Sequence, residues 1–178
     1  DVAVINKVDS AKPERVEQVR RTIQKHNPEA DIILAESILF TDSTERIKGK
    51  RVLVIEDGPT VTHGEMAYGA GTIAARRWGA ASIVDPRPFL AGSLKETFDR
   101  YPHIGSVLPS MGYSVKQIKD LEQTIHQTRC DVVVAATPID LAGLIHITQP
   151  VVRVRYEYRD NSHPTLESVL LRRLGLPC

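Results

Sequence analysis

Residues 51–60 read Arg-Val-Leu-Val-Ile-Glu-Asp-Gly-Pro-Thr, an apolar run followed by two acids and a glycine-proline turn. A short, continuously apolar run is typical of a strand that is covered on both faces, as in a parallel sheet. The acids and the turn stand where that strand ends, and ligands bind at this edge of open α/β sheets. The segment therefore predicts the fold class and points to a candidate site.

Similar runs recur along the 178-residue chain and alternate with amphipathic stretches. The predicted strands are Val2–Ile5, Asp31–Leu34, Arg51–Ile55, Ser82–Val84, Asp131–Ala135 and Val151–Tyr156, with Ile104–Leu108 as a weaker seventh. Alternation of this kind is typical of βα units around a parallel sheet. We therefore expect an α/β fold, a Rossmann-like three-layer sandwich with a mostly parallel sheet.

Four helices are predicted, the first and third of them from apolar residues at helical spacing. The first begins at Pro13, and the second covers Met66–Trp78. The third follows a capping Ser114, and the fourth runs from about Thr165 to Leu174 and stops at Gly175. The second helix contains Gly69 and Gly71, although glycine inside a helix costs roughly 1 kcal/mol relative to alanine. Close packing or a ligand is therefore expected beside these two glycines.

Composition and charge exclude several classes of function. The formal net charge is +1, so no overall field favours nucleic acid or an acidic membrane surface. Two cysteines, Cys130 and Cys178, are too few for a disulfide framework and lack the spacing of zinc ligands. No apolar run approaches the roughly 18 residues of a membrane span, and no secretion signal is found, so we expect a cytoplasmic protein.

A polar stretch without periodicity, Thr41–Lys50, divides the sequence. We expect residues 1–40 to be the end of a P-loop nucleotide-binding domain, residues 41–50 a linker, and residues 51–178 a carboxyl-terminal α/β domain. The chain begins inside an apolar run and holds no GxxxxGK[ST] phosphate-binding loop. The Asn-Lys-Val-Asp motif at residues 6–9 nevertheless resembles that of nucleotide-binding proteins that need such a loop, so the chain is predicted to be a fragment of a larger P-loop protein whose missing amino-terminal portion carries it.

The first candidate site is Asn6-Lys7-Val8-Asp9, directly after the first predicted strand. In GTPases such a motif binds guanine, because the aspartate accepts two hydrogen bonds from the edge of the base. Ser37 follows the next strand, where GTPases present a backbone amide to the base. The sequence predicts nucleotide binding by Asn6, Lys7, Asp9 and Ser37. The alternative is a polar turn that leads into a helix.

The second candidate site is residues 56–64, Glu-Asp-Gly-Pro-Thr-Val-Thr-His-Gly. Backbone amides at a helix start attract anions, and a histidine can carry a proton near neutral pH. We therefore expect an anion site here, and the alternative is a turn with a threonine N-cap from Thr62. The candidate residues are Glu56, Asp57 and His63 for catalysis and Thr60, Thr62 and Gly64 for substrate binding.

Other polar residues also follow predicted strands. Prolines on both sides of Arg87 fix its backbone, which suits a guanidinium aimed at an anion, beside Asp85. Asp85 is a further candidate for binding the substrate, as are Thr137 and Asp140, which follow a later strand. The glycine-bearing loop at residues 109–113 fits a binding site and a structural turn equally well. For each of these residues the alternative is a structural turn or the start of a helix.

Arg153 and Arg155 alternate with valines in one predicted strand, so both are expected on one face. An unpaired buried charge is unfavourable, so the two arginines need acidic partners or an anionic ligand, and both alternatives stay open. All these loops follow strands, and in a parallel sheet such loops converge on one edge. Convergence of acids, a histidine, arginines and glycine turns predicts a phosphate-rich substrate.

Several segments form an ordered series: Asn-Lys-Val-Asp at 6–9, Val-Leu-Val-Ile-Glu-Asp-Gly-Pro-Thr at 52–60, Ile-Val-Asp-Pro-Arg-Pro at 83–88, Leu-Pro-Ser-Met-Gly-Tyr at 108–113, Ala-Thr-Pro-Ile-Asp-Leu at 136–141 and Pro-Val-Val-Arg-Val-Arg-Tyr at 150–156. Together they resemble the cyclic 2,3-diphosphoglycerate synthetase family over about residues 1–158. The resemblance implies a P-loop protein of the predicted-GTPase type. It also implies ATP-dependent closure of 2,3-diphosphoglycerate into its cyclic phosphoanhydride.

The expected function is then a ligase that closes a phosphoanhydride within a bisphosphorylated acid, with hydrolysis of ATP or GTP. Arg87, Arg153 and Arg155 would clamp the phosphates, and Asp57 is the candidate ligand for Mg²⁺. The expected partners are a small anionic phosphometabolite, the missing amino-terminal portion and a second copy in a homodimer, with no nucleic acid and no membrane. The alternatives are a regulatory GTPase, or GTP-binding module, and a GTPase-linked domain that binds an anionic small molecule.

Overall fold

The computed structural model describes residues 1–110, 112 and 114–177. In chain order its elements are β1 (Val2–Ile5), α1 (Pro13–His26), β2 (Asp31–Phe40), β3 (Arg51–Asp57), α2 (Gly58–Thr62), α3 (Ala70–Arg77), β4 (Ser82–Ile83), α4 (Ser93–Arg100), β5 (Leu108–Ser110), α5 (Val115–Gln127), β6 (Val132–Ala136), α6 (Leu141–Leu144), β7 (Val151–Arg153), β8 (Arg155–Asp160) and α7 (Leu166–Leu174). Two short 3₁₀ turns lie at Thr44–Arg46 and Arg87–Phe89. None of the described helices is long and apolar enough to cross a membrane.

The chain divides into two compact units, residues 1–38 with 156–178 and residues 39–155. The first boundary lies close to the predicted end of the first domain at residue 40. The tail differs from the prediction, because residues 156–178 belong to the first unit rather than to the domain predicted at 51–178. Whether the first unit ends a P-loop domain stays a prediction.

The first unit contains a three-stranded sheet in the order β1-β2-β8, in which β1 and β2 are parallel. Its buried apolar residues include Ile33 and Ala35 of β2 and Val169 of α7. The amino-terminal and carboxyl-terminal segments therefore fold together as one unit, with β2 between β1 and β8.

The second unit contains a five-stranded sheet whose main order is β4-β3-β6-β7. Each strand pairing in this sheet is parallel. One edge of β3 pairs with β6, and its other edge is shared by β4, at Arg51–Val52, and β5, at Ile55–Asp57. The predicted α/β fold with a mostly parallel sheet is confirmed.

The core of the second unit lies on both faces of this sheet, which explains why residues 52–55 of β3 are continuously apolar. Val52 and Val54 pack on one face with residues of α2 and α3. Leu53 and Ile55 pack on the other face with residues of α4, α5 and α6. Because successive side chains of a strand point to opposite faces, every residue of this run is buried.

Several element predictions were wrong or incomplete. The predicted strand Val151–Tyr156 divides at Val154 into β7 and β8, which belong to different sheets. The predicted helix at Met66 begins only at Ala70, and the weak strand at Ile104 begins at Leu108. Helices α2, α4 and α6 were not predicted, because they are short and bury few apolar residues. Ser114 is the predicted cap of α5, and its hydroxyl accepts from the Gln117 amide.

Candidate functional site

The candidate site lies where four parallel strands of the second unit end together. In the strand register Asp57 of β3 is opposite Ser110 of β5, and Ala135 of β6 is opposite Arg153 of β7. Because the strands run in one direction, the loops that follow them leave the sheet at one edge. The structure therefore brings together the ends of β3, β5, β6 and β7 that sequence analysis singled out.

Glu56 is a buried charged residue at this edge, with 1% of its surface exposed. Its Oε1 accepts from the backbone amides of Gly69 at 2.9 Å and Thr72 at 2.8 Å, and its Oε2 accepts from the Gly71 amide at 2.9 Å. These amides belong to the first turn of α3 and its N-cap, where the helix dipole favours a negative charge. The Glu56 carboxylate therefore lies at the N-terminus of α3, where an anionic ligand could otherwise bind.

This arrangement corrects the prediction of an anion site formed by backbone amides after β3. The Gly64 amide donates to the Pro59 carbonyl at 3.1 Å, and the amides that begin α3 donate to Glu56. The protein's own carboxylate thus fills the position that was expected to bind a substrate anion.

Gly69 and Gly71 allow α3 to approach the sheet closely. A methyl group added at Gly71 would lie 2.8 Å from Val54 Cγ1 and 3.0 Å from Ala136 Cβ. One added at Gly69 would lie 2.8 Å from Glu56 Oε2. Of the two expectations for these glycines, close packing is therefore confirmed.

The α2 segment carries four of the predicted site residues. Asp57 precedes the helix as its N-cap and is half-buried, and it accepts from the Thr60 hydroxyl at 3.5 Å. Thr62 is the last residue of α2, so the alternative of an N-cap at Thr62 was wrong. Its hydroxyl is buried and donates to the Gly58 carbonyl at 2.9 Å. His63 is exposed, with Nδ1 3.0 Å from the Thr62 hydroxyl.

His103 is a neighbour of this segment that sequence analysis did not single out as a site residue. Its Nε2 lies 2.7 Å from the carbonyl of Val61, and the Gly105 amide donates to the carbonyl of Ala67 at 2.8 Å. Residues 101–105 therefore brace the segment that follows α2. The signal in the sequence was a histidine two residues before Gly105, within Tyr-Pro-His-Ile-Gly at 101–105.

Arg153 and Arg155 do not form the predicted pair on one strand. Arg153 ends β7, and its Nη2 donates to the Pro138 carbonyl at 2.7 Å, while its buried Nε has no hydrogen-bond partner among the described residues. Val152 and Val154 pack on the α3 face, so Arg153 points to the opposite face from Glu56. Arg155 is exposed and begins β8 in the other sheet.

Arg87 already has an acidic partner. Its guanidinium donates to Asp85, with Nη2 and Oδ2 2.6 Å apart, and this contact lowers the pKa of the Asp85 carboxyl below its usual value. The strand before them, β4, pairs with the first residues of β3, where Ile83 is opposite Val52. Because β4 ends opposite Val52, Arg87 follows a strand that stops several residues before the level of Glu56 on β3.

Two further candidates follow β6. Thr137 is buried, and its hydroxyl lies 3.5 Å from the amide of Ile139, which it accepts from. Asp140 is exposed and precedes α6 without a capping hydrogen bond from its side chain. In the loop predicted at 109–113, Met111 and Tyr113 lie outside the described residues. Within the part of the chain that is described, no group of three or more His, Cys, Asp or Glu side chains could hold a metal ion.

The Asn-Lys-Val-Asp segment of the first unit is braced against β2. Asp9 Oδ1 accepts from the Ser37 amide at 3.1 Å, and Asn6 Oδ1 accepts from the Lys7 amide at 2.7 Å. Lys7 adopts a positive φ of 64° to complete the loop. The Ser37 amide and the Asp9 carboxylate, which were both expected to contact a nucleotide base, therefore contact each other.

Comparison with known proteins supplies a separate line of evidence. No protein-family model matches the chain. A curated relative is 52% identical over 170 residues, which cover 96% of this chain. That relative is arginine synthetase ArcE of Thermococcus kodakarensis. The chain spans 38% of the length of arginine synthetase ArcE.

This relative overturns the earlier assignment. The predicted resemblance to the cyclic 2,3-diphosphoglycerate synthetase family was wrong, because the similarity over nearly the whole chain is to a protein of another name. The predicted closure of a cyclic phosphoanhydride was wrong for the same reason. The alternatives of a GTPase or a GTP-binding module are not supported either, and neither is the expected P-loop.

Proposed function

We propose that this protein is a ligase-type enzyme, a synthetase whose product is arginine. The observation that carries the proposal is the 52% identity to arginine synthetase ArcE over 96% of the chain. Because the chain spans 38% of that relative, the proposal concerns the activity of the full-length protein.

The proposed reaction is a condensation driven by a nucleoside triphosphate. In the precursor, the carbon that becomes the guanidinium carbon of arginine carries an oxygen. A nitrogen donor displaces that oxygen. Transfer of the terminal phosphoryl group to that oxygen makes it a leaving group. The nitrogen then forms the new carbon–nitrogen bond, and the oxygen departs with phosphate. Positioning and electrostatic stabilisation supply most of the rate in such phosphoryl transfers.

The candidate catalytic and binding residues of this chain follow strands of the second unit, at the edge of the sheet where those strands end. Asp57 is a half-buried carboxylate at the end of β3 and is the candidate ligand for Mg²⁺. A single carboxylate fits this ion, since Mg²⁺ is commonly bound by one or two carboxylates together with substrate phosphates. Arg153 is the candidate for anion binding and His63 for proton transfer. Glu56 has a positioning role, because both of its oxygens hold the start of α3.

The test uses the reverse reaction, which needs no knowledge of the precursor. Full-length protein is incubated with arginine, ADP, phosphate and Mg²⁺, and arginine is measured by amino-acid analysis. We expect arginine to be consumed in proportion to the ATP formed. Omission of any one of the three substrates should abolish both changes.

A matched pair of variants connects the activity to the site. Asp57→Asn should lower kcat by roughly 10²-fold or more, as expected for loss of a group that stabilises developing charge. Asp42→Asn removes an exposed carboxylate elsewhere in the second unit and should leave kcat unchanged. Arginine that stays constant at all substrate concentrations would refute the proposed function.

A further inference from the structure

We propose that Thr62 is a positioning residue that holds His63 as the Nδ1–H tautomer, which leaves Nε2 as the nitrogen that exchanges a proton with the substrate. The proposal rests on the proposed function only for the identity of that substrate. The tautomer itself follows from the contacts of the two side chains.

The argument begins with the single proton of the Thr62 hydroxyl. Its oxygen lies 2.9 Å from the Gly58 carbonyl, which can only accept a hydrogen bond. This contact from a helical threonine to the carbonyl four residues earlier is a common arrangement, and it uses the hydroxyl proton. The same oxygen lies 3.0 Å from His63 Nδ1 and has only lone pairs left. Nδ1 must therefore carry the proton of that hydrogen bond.

Burial keeps the threonine in this arrangement. Thr62 is 3% exposed, so its hydroxyl cannot turn to solvent for another partner. His63 is the exposed residue directly after α2, the helix that follows β3. In neutral imidazole one nitrogen donates and the other accepts, so a protonated Nδ1 leaves a lone pair on Nε2.

His103 provides an internal reference for this assignment. Its Nε2 lies 2.7 Å from the Val61 carbonyl, and a carbonyl requires a donor, so His103 is the Nε2–H tautomer. The two histidines beside the same segment therefore hold opposite tautomers. A change that acts only on Thr62 should alter His63 and leave His103 as it is.

The first experiment reads the tautomers directly. Imidazole nitrogen shifts of the full-length protein are recorded at about pH 9, where an ordinary imidazole is neutral. Signals are assigned with His63→Gln and His103→Gln. We expect His63 to show a protonated Nδ1 and His103 a protonated Nε2. Thr62→Val should shift His63 toward the Nε2–H form, whereas Thr62→Ser, which keeps the hydroxyl, should not.

The second experiment reads the consequence for turnover. Loss of a positioned proton-transfer group lowers rates by roughly 10²-fold or more. We expect His63→Gln and Thr62→Val each to lower kcat by about that factor, with Thr62→Ser close to wild type. The double variant should lose little beyond the single variants, because the two residues act as a unit.

The outcomes separate the two proposals. A His63 tautomer that is unchanged in Thr62→Val, or protonated at Nε2 in the wild type, would overturn the role of Thr62. Full kcat in His63→Gln would overturn the proton-transfer role of Nε2. A protein that does not turn over arginine refutes the proposed function, and the nitrogen shifts then decide the Thr62 inference by themselves.

Discussion

At the scale of single residues, the main feature of this protein is a buried carboxylate whose partners are backbone amides. Glu56 accepts three such hydrogen bonds and is almost completely buried. Removal of one partner from a buried charged network is strongly unfavourable, because the remaining groups stay buried with neither water nor a protein hydrogen-bond partner. Glu56, one of the candidate catalytic residues predicted from the sequence, thus stabilises the fold around the candidate site.

Glu56→Gln tests this role. The new amide group would direct N–H atoms at the backbone N–H groups of α3, so we expect a loss of about 2 kcal/mol or more in the free energy of unfolding. Urea denaturation followed by fluorescence of Trp78, the single tryptophan, reports on this unit. The control Glu65→Gln changes an exposed glutamate in the loop before α3. Equal stability of the two variants would contradict the role given to Glu56.

At the scale of elements, the position of α3 depends on the absence of side chains where it meets the sheet. Gly71 allows the first turn of the helix to contact both β3 and β6. Its amide can then reach Glu56, so the close approach and the hydrogen bonds support each other. Glycine is unfavourable inside a helix, and this contact is the physical reason for its presence here.

Gly71→Ala should therefore destabilise the second unit, although alanine is the better helix former. The added methyl group meets Val54 and Ala136 at 3.0 Å or less, and overpacking of this kind costs about 1–3 kcal/mol. Gly143→Ala is the matched control, since a methyl group there would lie 3.8 Å from Asp140 and meet no close neighbour. Unfolding in urea should show the loss for Gly71 alone. A stabilised Gly71→Ala would contradict the packing argument.

At the scale of the whole molecule, the first unit is formed by both ends of the chain. Asp31 at the start of β2 accepts from Arg172 Nη2 at 2.7 Å and Arg173 Nη2 at 2.8 Å, both at the end of α7. Near the other end of β2, Glu36 accepts from Arg159 at 2.6 Å and from Asn161. These contacts connect residues more than 100 positions apart, so the tail and the first strands stabilise each other.

The contacts of Asp31 predict a pH dependence. Hydrogen bonds from Arg172 and Arg173 lower the pKa of the Asp31 carboxyl from its usual value. A lowered pKa in the folded state means that the stabilisation is present above about pH 4 and is lost as the pH falls through the lowered value. Amide chemical shifts of α7, followed as the pH is reduced, should report this loss.

Asp31→Asn should produce the same change at neutral pH. We expect faster hydrogen exchange in α7, and the effect should decrease at high salt because the two arginines are exposed. Glu167→Gln changes an exposed glutamate in the same helix and serves as the control. Unchanged exchange in Asp31→Asn would contradict the role of this carboxylate.

The sequence alone was sufficient for the features that depend on local pattern. The apolar run at 52–55 identified a strand buried on both faces, and the capping serine before α5 was predicted correctly. The convergence of strand ends followed from the parallel assignment. The individual site roles were less predictable, because a polar residue after a strand can serve a ligand or another part of the chain. Glu56, Arg87 and Thr62 each have a partner within the protein.

By itself, therefore, the sequence determined the fold class, the main parallel strands and the edge at which their loops meet, since periodicity and strand direction decide these. Only the tertiary structure decided that Glu56 holds α3, that Arg153 and Arg155 lie in different sheets, and that the tail joins the first unit. The reason is physical: the role of a charged or polar side chain depends on which groups approach it from distant parts of the chain.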